Sequence, residues 1–146
     1  MQNDYRTLRT FADVCADQGK DQSNYAVPSV QTDANGKTTN SEELALAYLR
    51  RTMLIAKAVN GPDKLDVADT RQEKYGIWAH VNPTEKTEVN PAGFGLSFCG
   101  CDCGSSDANL GVRPQFSDYE RGEFAFEQFK EEWEQLMKFV ALWMLE

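Results

Sequence analysis

Hydrophobic positions recur along the chain with two different periods. Tyr5, Leu8, Phe11, Ala12 and Cys15 fall at three- and four-residue steps and predict a helix from about Asp4 to Asp17. Asp4 is the expected cap, and Gly19 the expected stop. Residues 20–40 are polar and rich in turn formers, which predicts a connecting arm. Tyr25, Val27 and Val30 are its expected pins to the core. The next helix is bounded by Asn40, which with Glu43 resembles a capping box, and by Asn60-Gly61-Pro62. Within it Leu44, Tyr48, Ile55 and Val59 fall on one side, and Leu46, Leu49, Met53 and Ala56 on another. Glu43, Arg50 and Lys57 share a narrow polar strip, because seven-residue steps nearly repeat the helical angle. A helix apolar around most of its circumference is expected at the centre of a fold.

After a polar loop over 62–74 the period changes from helical to alternating. Tyr75, Ile77, Ala79 and Val81 oppose Gly76, Trp78 and His80. Phe94, Leu96 and Phe98 alternate with Gly95 and Ser97. Leu110, Val112, Pro114 and Phe116 alternate with Gly111, Arg113 and Gln115. Pro114 cannot donate to a ladder, so the third strand belongs at an edge. Asn-Pro steps at 82–83 and 90–91 bracket the first connection as turns. A last long helix starts at Ser117 or Asp118, with Ser117 and Glu120 as a capping box, and its stripe is Phe126, Phe129, Trp133, Leu136 and Val140. Its end, Phe139–Leu145, is apolar all round. That end either completes the core or forms one side of a homodimer interface. The expected fold is α+β: a small three-stranded antiparallel sheet with helices packed on one face and a long C-terminal helix. The organisation is a single domain, with an N-terminal helix over 1–19, the polar arm over 20–40 and an α+β core over 41–146.

Composition narrows the class. The chain has 146 residues, of which 41% are hydrophobic and 26% charged, as expected for a globular rather than a disordered protein. No apolar run is long enough for a membrane span, and the first residues lack the order of a secretory signal. These features predict a soluble cytoplasmic protein without a membrane partner. The net charge of −8 is concentrated late: residues 114–146 hold three bases against eight acids. Arg50, Arg51 and Lys57 are the local exception and read as a solvated edge. An acidic surface disfavours nucleic acid as a partner.

Candidate chemistry is sparse. Cys99, Cys101 and Cys103 form an alternating cluster, for which structural thiols are the plainer reading. A zinc site would need a fourth ligand from Cys15, His80 or Asp102, without the usual paired C-x-x-C spacing. His80 is the single histidine, so it lacks the usual partner for proton relay or zinc hydrolysis. Asp63, Asp66 and Asp69 read as a solvated turn. No phosphate-binding glycine loop is present. No catalytic set and no cofactor are expected. The candidate binding residues are Trp78, His80 and Arg113 on the sheet face, with Asp102 and Asp107 on the 99–109 loop, because aromatics and arginine anchor interfaces.

The segments LIAKAVNG, QEKYGIWAHV, GFGLSF and GVRPQFSDYERGEFAFEQFKEEWEQL, taken in this order, carry a resemblance over roughly residues 41–146. They resemble a group of small proteins common in bacteriophages and prophages of gut anaerobes, which has no established activity. Gly111, Arg113, Phe116, Gln128 and Phe129 match its strand-into-helix motif. The CGCDC segment departs from the Tyr-, Ser- and Asp-rich loop of that group. The resemblance implies a phage or prophage setting in the host cytoplasm. The absence of a catalytic set and the aromatic and arginine positions on the sheet add the expectation of a non-enzymatic accessory protein that binds a protein or small-ligand partner through the sheet face and the 99–109 loop. An acidic inhibitor of host defence or nucleic-acid machinery, a virion component, and a zinc-stabilised module or thiol enzyme are the alternatives.

Overall fold

A computed structural model describes residues 4–62, 65, 66, 68, 71–81, 94–97 and 114–145. The fold is α+β and dominated by helix. Its elements are α1 (Phe11–Asp17), α2 (Ser41–Asn60), β1 (Tyr75–Gly76), β2 (Trp78–Val81), β3 (Phe94–Ser97), β4 (Gln115–Phe116), α3 (Tyr119–Gln128) and α4 (Lys130–Met144). α2 is central: it runs along α4 and also meets α1, α3 and β4.

The N-terminal segment is not one helix. Asp4 caps a single 3-10 turn, Tyr5–Thr7, by accepting from the Arg6 amide at 3.0 Å. α1 starts afresh at Thr10, whose hydroxyl accepts from the Asp13 amide while the Asp13 carboxylate accepts from the Thr10 and Arg9 amides. That reciprocal cap overrides continuation through Leu8. Val14, rather than Ala12, joins Leu8, Phe11 and Cys15 in the core. Gly19 ends α1 as expected. At φ 61° it lets the Lys20 amide reach the Cys15 carbonyl at 2.8 Å.

The arm is a built segment. It contains a 3-10 turn, Gln22–Tyr25, and a tight turn closed by a Thr32–Thr38 bridge. Tyr25 and Val27 pin it as expected, against Phe11 and against the Leu44–Phe139 cluster respectively. Val30 is exposed.

The expected three-stranded sheet is replaced by two separate two-stranded antiparallel ladders among the described residues. β1 pairs with β4, Tyr75 opposite Phe116. β2 pairs with β3, Trp78 opposite Ser97 and His80 opposite Gly95. The alternating run 75–81 changes partner at Ile77, which is buried in the main core. Alternation reports a strand's faces but not which neighbour receives its hydrogen bonds. Residues 109–113 of the expected third strand lie outside the described residues.

The expected single C-terminal helix is broken at Phe129, whose φ of −120° and ψ of 27° end α3 and begin α4. Asp118, rather than Ser117, caps α3 by accepting from the Arg121 amide at 2.9 Å. The break seats Phe129 in the core, in edge contact with Phe124. It also aims Trp133, Leu136 and Phe139 toward the interior. The inner half of the apolar end does complete the core: Phe139 is buried and stacks on Tyr48 at a centroid distance of 6.0 Å. Val140, Trp143, Met144 and Leu145 stay exposed.

Candidate functional site

α2 is held by an asparagine at each end. The Asn40 amide donates to the Ser29 carbonyl and accepts from the Gln31 amide, both at 2.9 Å. The Asn60 amide donates to the Gln115 carbonyl at 2.7 Å and accepts from the Ser117 amide at 3.0 Å. Each side chain therefore bonds as a peptide unit would, Asn40 to the arm and Asn60 to the β4 segment. This corrects the expected role of Asn40, which makes no side-chain cap to α2. Asn60 locks the two amide planes flanking Phe116, which is fully buried. Beyond it Gly61 turns the chain at φ 74°, a conformation that a Cβ disfavours.

Two arginines clamp the same helix. Arg51 was expected at a solvated edge, but its side chain is only 16% exposed. It donates twice to the Glu132 carboxylate on α4, at 2.8 and 2.5 Å, and once to the Tyr25 carbonyl at 3.1 Å. Its Cζ lies 3.7 Å from the centroid of the Phe11 ring. Sequence patterning missed this because the apolar floor under the guanidinium comes from α1, not α2. Arg121 donates to the Val59 carbonyl at 3.1 Å, pairs with Asp118 and lies over the Tyr5 ring.

With one face of α2 committed to these clamps and to the core, the opposite stripe stays open. Glu42, Glu43, Leu46, Arg50, Met53 and Lys57 are all exposed. Glu43, Arg50 and Lys57 are the expected polar strip. The second expected apolar side does not close: Ala56 is buried, but Leu46 and Met53 remain 47% and 43% exposed. Two concavities meet at this stripe. The first is an apolar cleft between α2 and α4, with a volume of about 290 Å³. Leu46 and Leu49 form one wall, Trp133, Met137 and Trp143 the other, and Ile77 and Pro114 also line it. The second is a wider, open groove on the other side of Leu49, Pro114 and Gln115, which the two share. Met53, Leu54 and Leu65 contribute apolar surface to that groove. Its charged lining residues are Lys20, Arg50 and Lys57, with no acid among its described lining residues.

Titratable groups with shifted pKa values lie mainly outside these concavities. Hydrogen bonds from the Arg9 and Thr10 amides hold the Asp13 carboxyl below its ordinary value. Burial pushes the Cys15 thiol up, which favours the protonated form rather than the thiolate a metal requires. Cys15 is packed in the main core, so this candidate fourth zinc ligand acts there as a small apolar residue. Burial also raises the Tyr48 phenol, followed by the charge of Glu132. Among the described residues no three His, Cys, Asp or Glu side chains are grouped as metal ligands.

Of the sequence-predicted site residues, Trp78 and His80 fall two residues apart on β2, opposite Ser97 and Gly95. Arg113, Asp102, Asp107, Cys99, Cys101 and Cys103 lie outside the described residues. Asp66 accepts from the Ala68 amide in a local turn, as its expected role requires, while Asp63 and Asp69 lie outside. The surface that sequence reasoning missed is the Leu46–Met53 stripe with Lys20. Its signal was two large apolar residues at helical angles adjoining the polar strip. No described helix is long and apolar enough to cross a membrane. No family model, curated protein or solved structure matches the chain.

Proposed function

We propose that this is a non-enzymatic binding protein that receives the apolar side chains of a partner protein along the open face of α2. The observation that carries the reading is the exposure of two large apolar residues on the open stripe of the central helix, Leu46 at the apolar cleft and Met53 at the adjoining groove. Large apolar residues collected at one concavity are how a helix face offers anchors to a partner. The phage or prophage setting implied by the motif order belongs to the same proposal, as does a second contact through Trp78, His80, Arg113 and the 99–109 loop. Detection of the chain in purified particles would assign it to the virion instead.

The test uses Nile red, an uncharged apolar probe. It should bind the folded protein with blue-shifted emission, and Leu46→Ser with Met53→Ser should abolish that signal. A cooperative thermal transition in both proteins excludes dye uptake by a loosened core. Equal dye binding by the double variant refutes the site. A second reading is favoured by the cleft's volume, which sits at the lower end of small-ligand pockets. A small apolar molecule retained in native mass spectrometry would select it.

A further inference from the structure

We infer that the partner's contacting element is an acidic amphipathic helix, recognised by Lys20, Arg50 and Lys57 around the groove beside α2. This deepens the binding reading above and rests on it. The chain carries a net charge of −8, yet the charged side chains among the described residues lining this groove are three cations. Arg50 and Lys57 lie two helical turns apart, roughly 10 Å at 1.5 Å per residue, with Met53 between them. Lys20 enters from the end of α1. Arg50 is held over the Tyr25 ring, with Cζ 5.0 Å from its centroid. The Lys20 and Lys57 ammonium groups have no hydrogen bond or ion pair with the described residues.

A row of base, apolar residue and base is complementary to a helix bearing acid, apolar residue and acid at the same spacing. Met53 is an adaptable anchor for the apolar position. The cations then set register and orientation and speed encounter against the repulsion of the whole chain. Nucleic acid fits less well. Three cations supply little counterion release, and the chain as a whole is acidic. The floor also offers Leu49, Met53, Leu54 and Leu65, which match aliphatic side chains.

The probe is a labelled helical peptide of about 20 residues, with Leu at i, i+3 and i+7 and Glu flanking them. Gln and Lys versions of the peptide are the comparisons, read by fluorescence anisotropy. The Glu peptide should bind most tightly, weaken about tenfold between low and moderate salt, and weaken about tenfold again with Arg50→Glu/Lys57→Glu. Arg50→Gln/Lys57→Gln serves if charge reversal lowers the melting temperature. Equal binding of the Glu and Gln peptides, still lost with Leu46→Ser/Met53→Ser, overturns the acidic partner and leaves the binding face standing. If no peptide and no Nile red binds, both readings fail. Tighter binding of a thymidine oligonucleotide or of phosphatidylserine vesicles overturns the partner class. Dimers that the charge reversal dissociates would place the chain's own acidic helix in the groove and overturn a separate partner.

Discussion

Replacing Asn60 tests how the end of α2 is joined to the rest of the fold. The side chain is buried and makes two bonds, to the Gln115 carbonyl and from the Ser117 amide. In Asn60→Ala both backbone groups lose the bond to this side chain. A buried polar group left unpaired costs about 1–3 kcal/mol. Gln115 and Ser117 are half-buried, so water restores part of the loss. The expected net destabilisation is about 2–4 kcal/mol, a large share of the 5–15 kcal/mol typical of a domain. Urea unfolding followed by far-UV circular dichroism and by tryptophan fluorescence measures it. Trp133 reports directly, because its ring lies 6.0 Å from that of Phe116. Asn40→Ala is the internal control. It has the same bonding pattern, but Ser29 and Gln31 are exposed and water can replace the side chain, so about 1 kcal/mol or less is expected. A loss below about 0.5 kcal/mol for Asn60→Ala, or equal losses for the two, would refute the bridging role.

Arg51→Ala should destabilise by about 2–3 kcal/mol, reduced from the fully buried case because the pair keeps some solvent contact. Arg51→Lys should recover only part of it in the same urea assay, since an ammonium cannot make the two parallel bonds. Asp13 has its folded pKa below the unfolded one, so its contribution is present above the ordinary value of 3.8 and lost as pH falls through the folded pKa. Protection of the α1 amides, taken relative to their intrinsic exchange rate at each pH, should therefore fall in that acid range, and Asp13→Asn should remove this pH dependence of protection. Gly76 is the position where filling should help. A Cβ added there meets nothing within 4 Å and the backbone needs no positive φ. Gly76→Ala should be neutral or raise stability by up to about 1 kcal/mol, and a lowered melting temperature would show that the space is not open.

Local chemistry determined what the sequence alone could deliver. The extent of α2 follows from its polar entry and its Asn-Gly-Pro exit, and the end of α1 from Gly19, because a left-handed residue stops a helix whatever surrounds it. The polar strip of Glu43, Arg50 and Lys57 was legible for the same reason: helical geometry sets which residues share an angle. Tertiary structure decided what each face meets. Leu46 and Met53 fit a buried stripe by period, yet no described element covers them fully. Arg51 reads as solvated by type, yet it lies over Phe11 and grips Glu132 through elements distant in the chain. Asn40 and Asn60 read as a cap and a stop, but their amides serve as peptide surrogates for the arm and the β4 segment folded against them. The strand run 75–81 divides at Ile77 because backbone pairing depends on which segments arrive beside it. Helical and strand periods are properties of the chain itself. Contacts between distant segments are settled only when the whole core packs, and the open face of α2 is what that packing left uncovered.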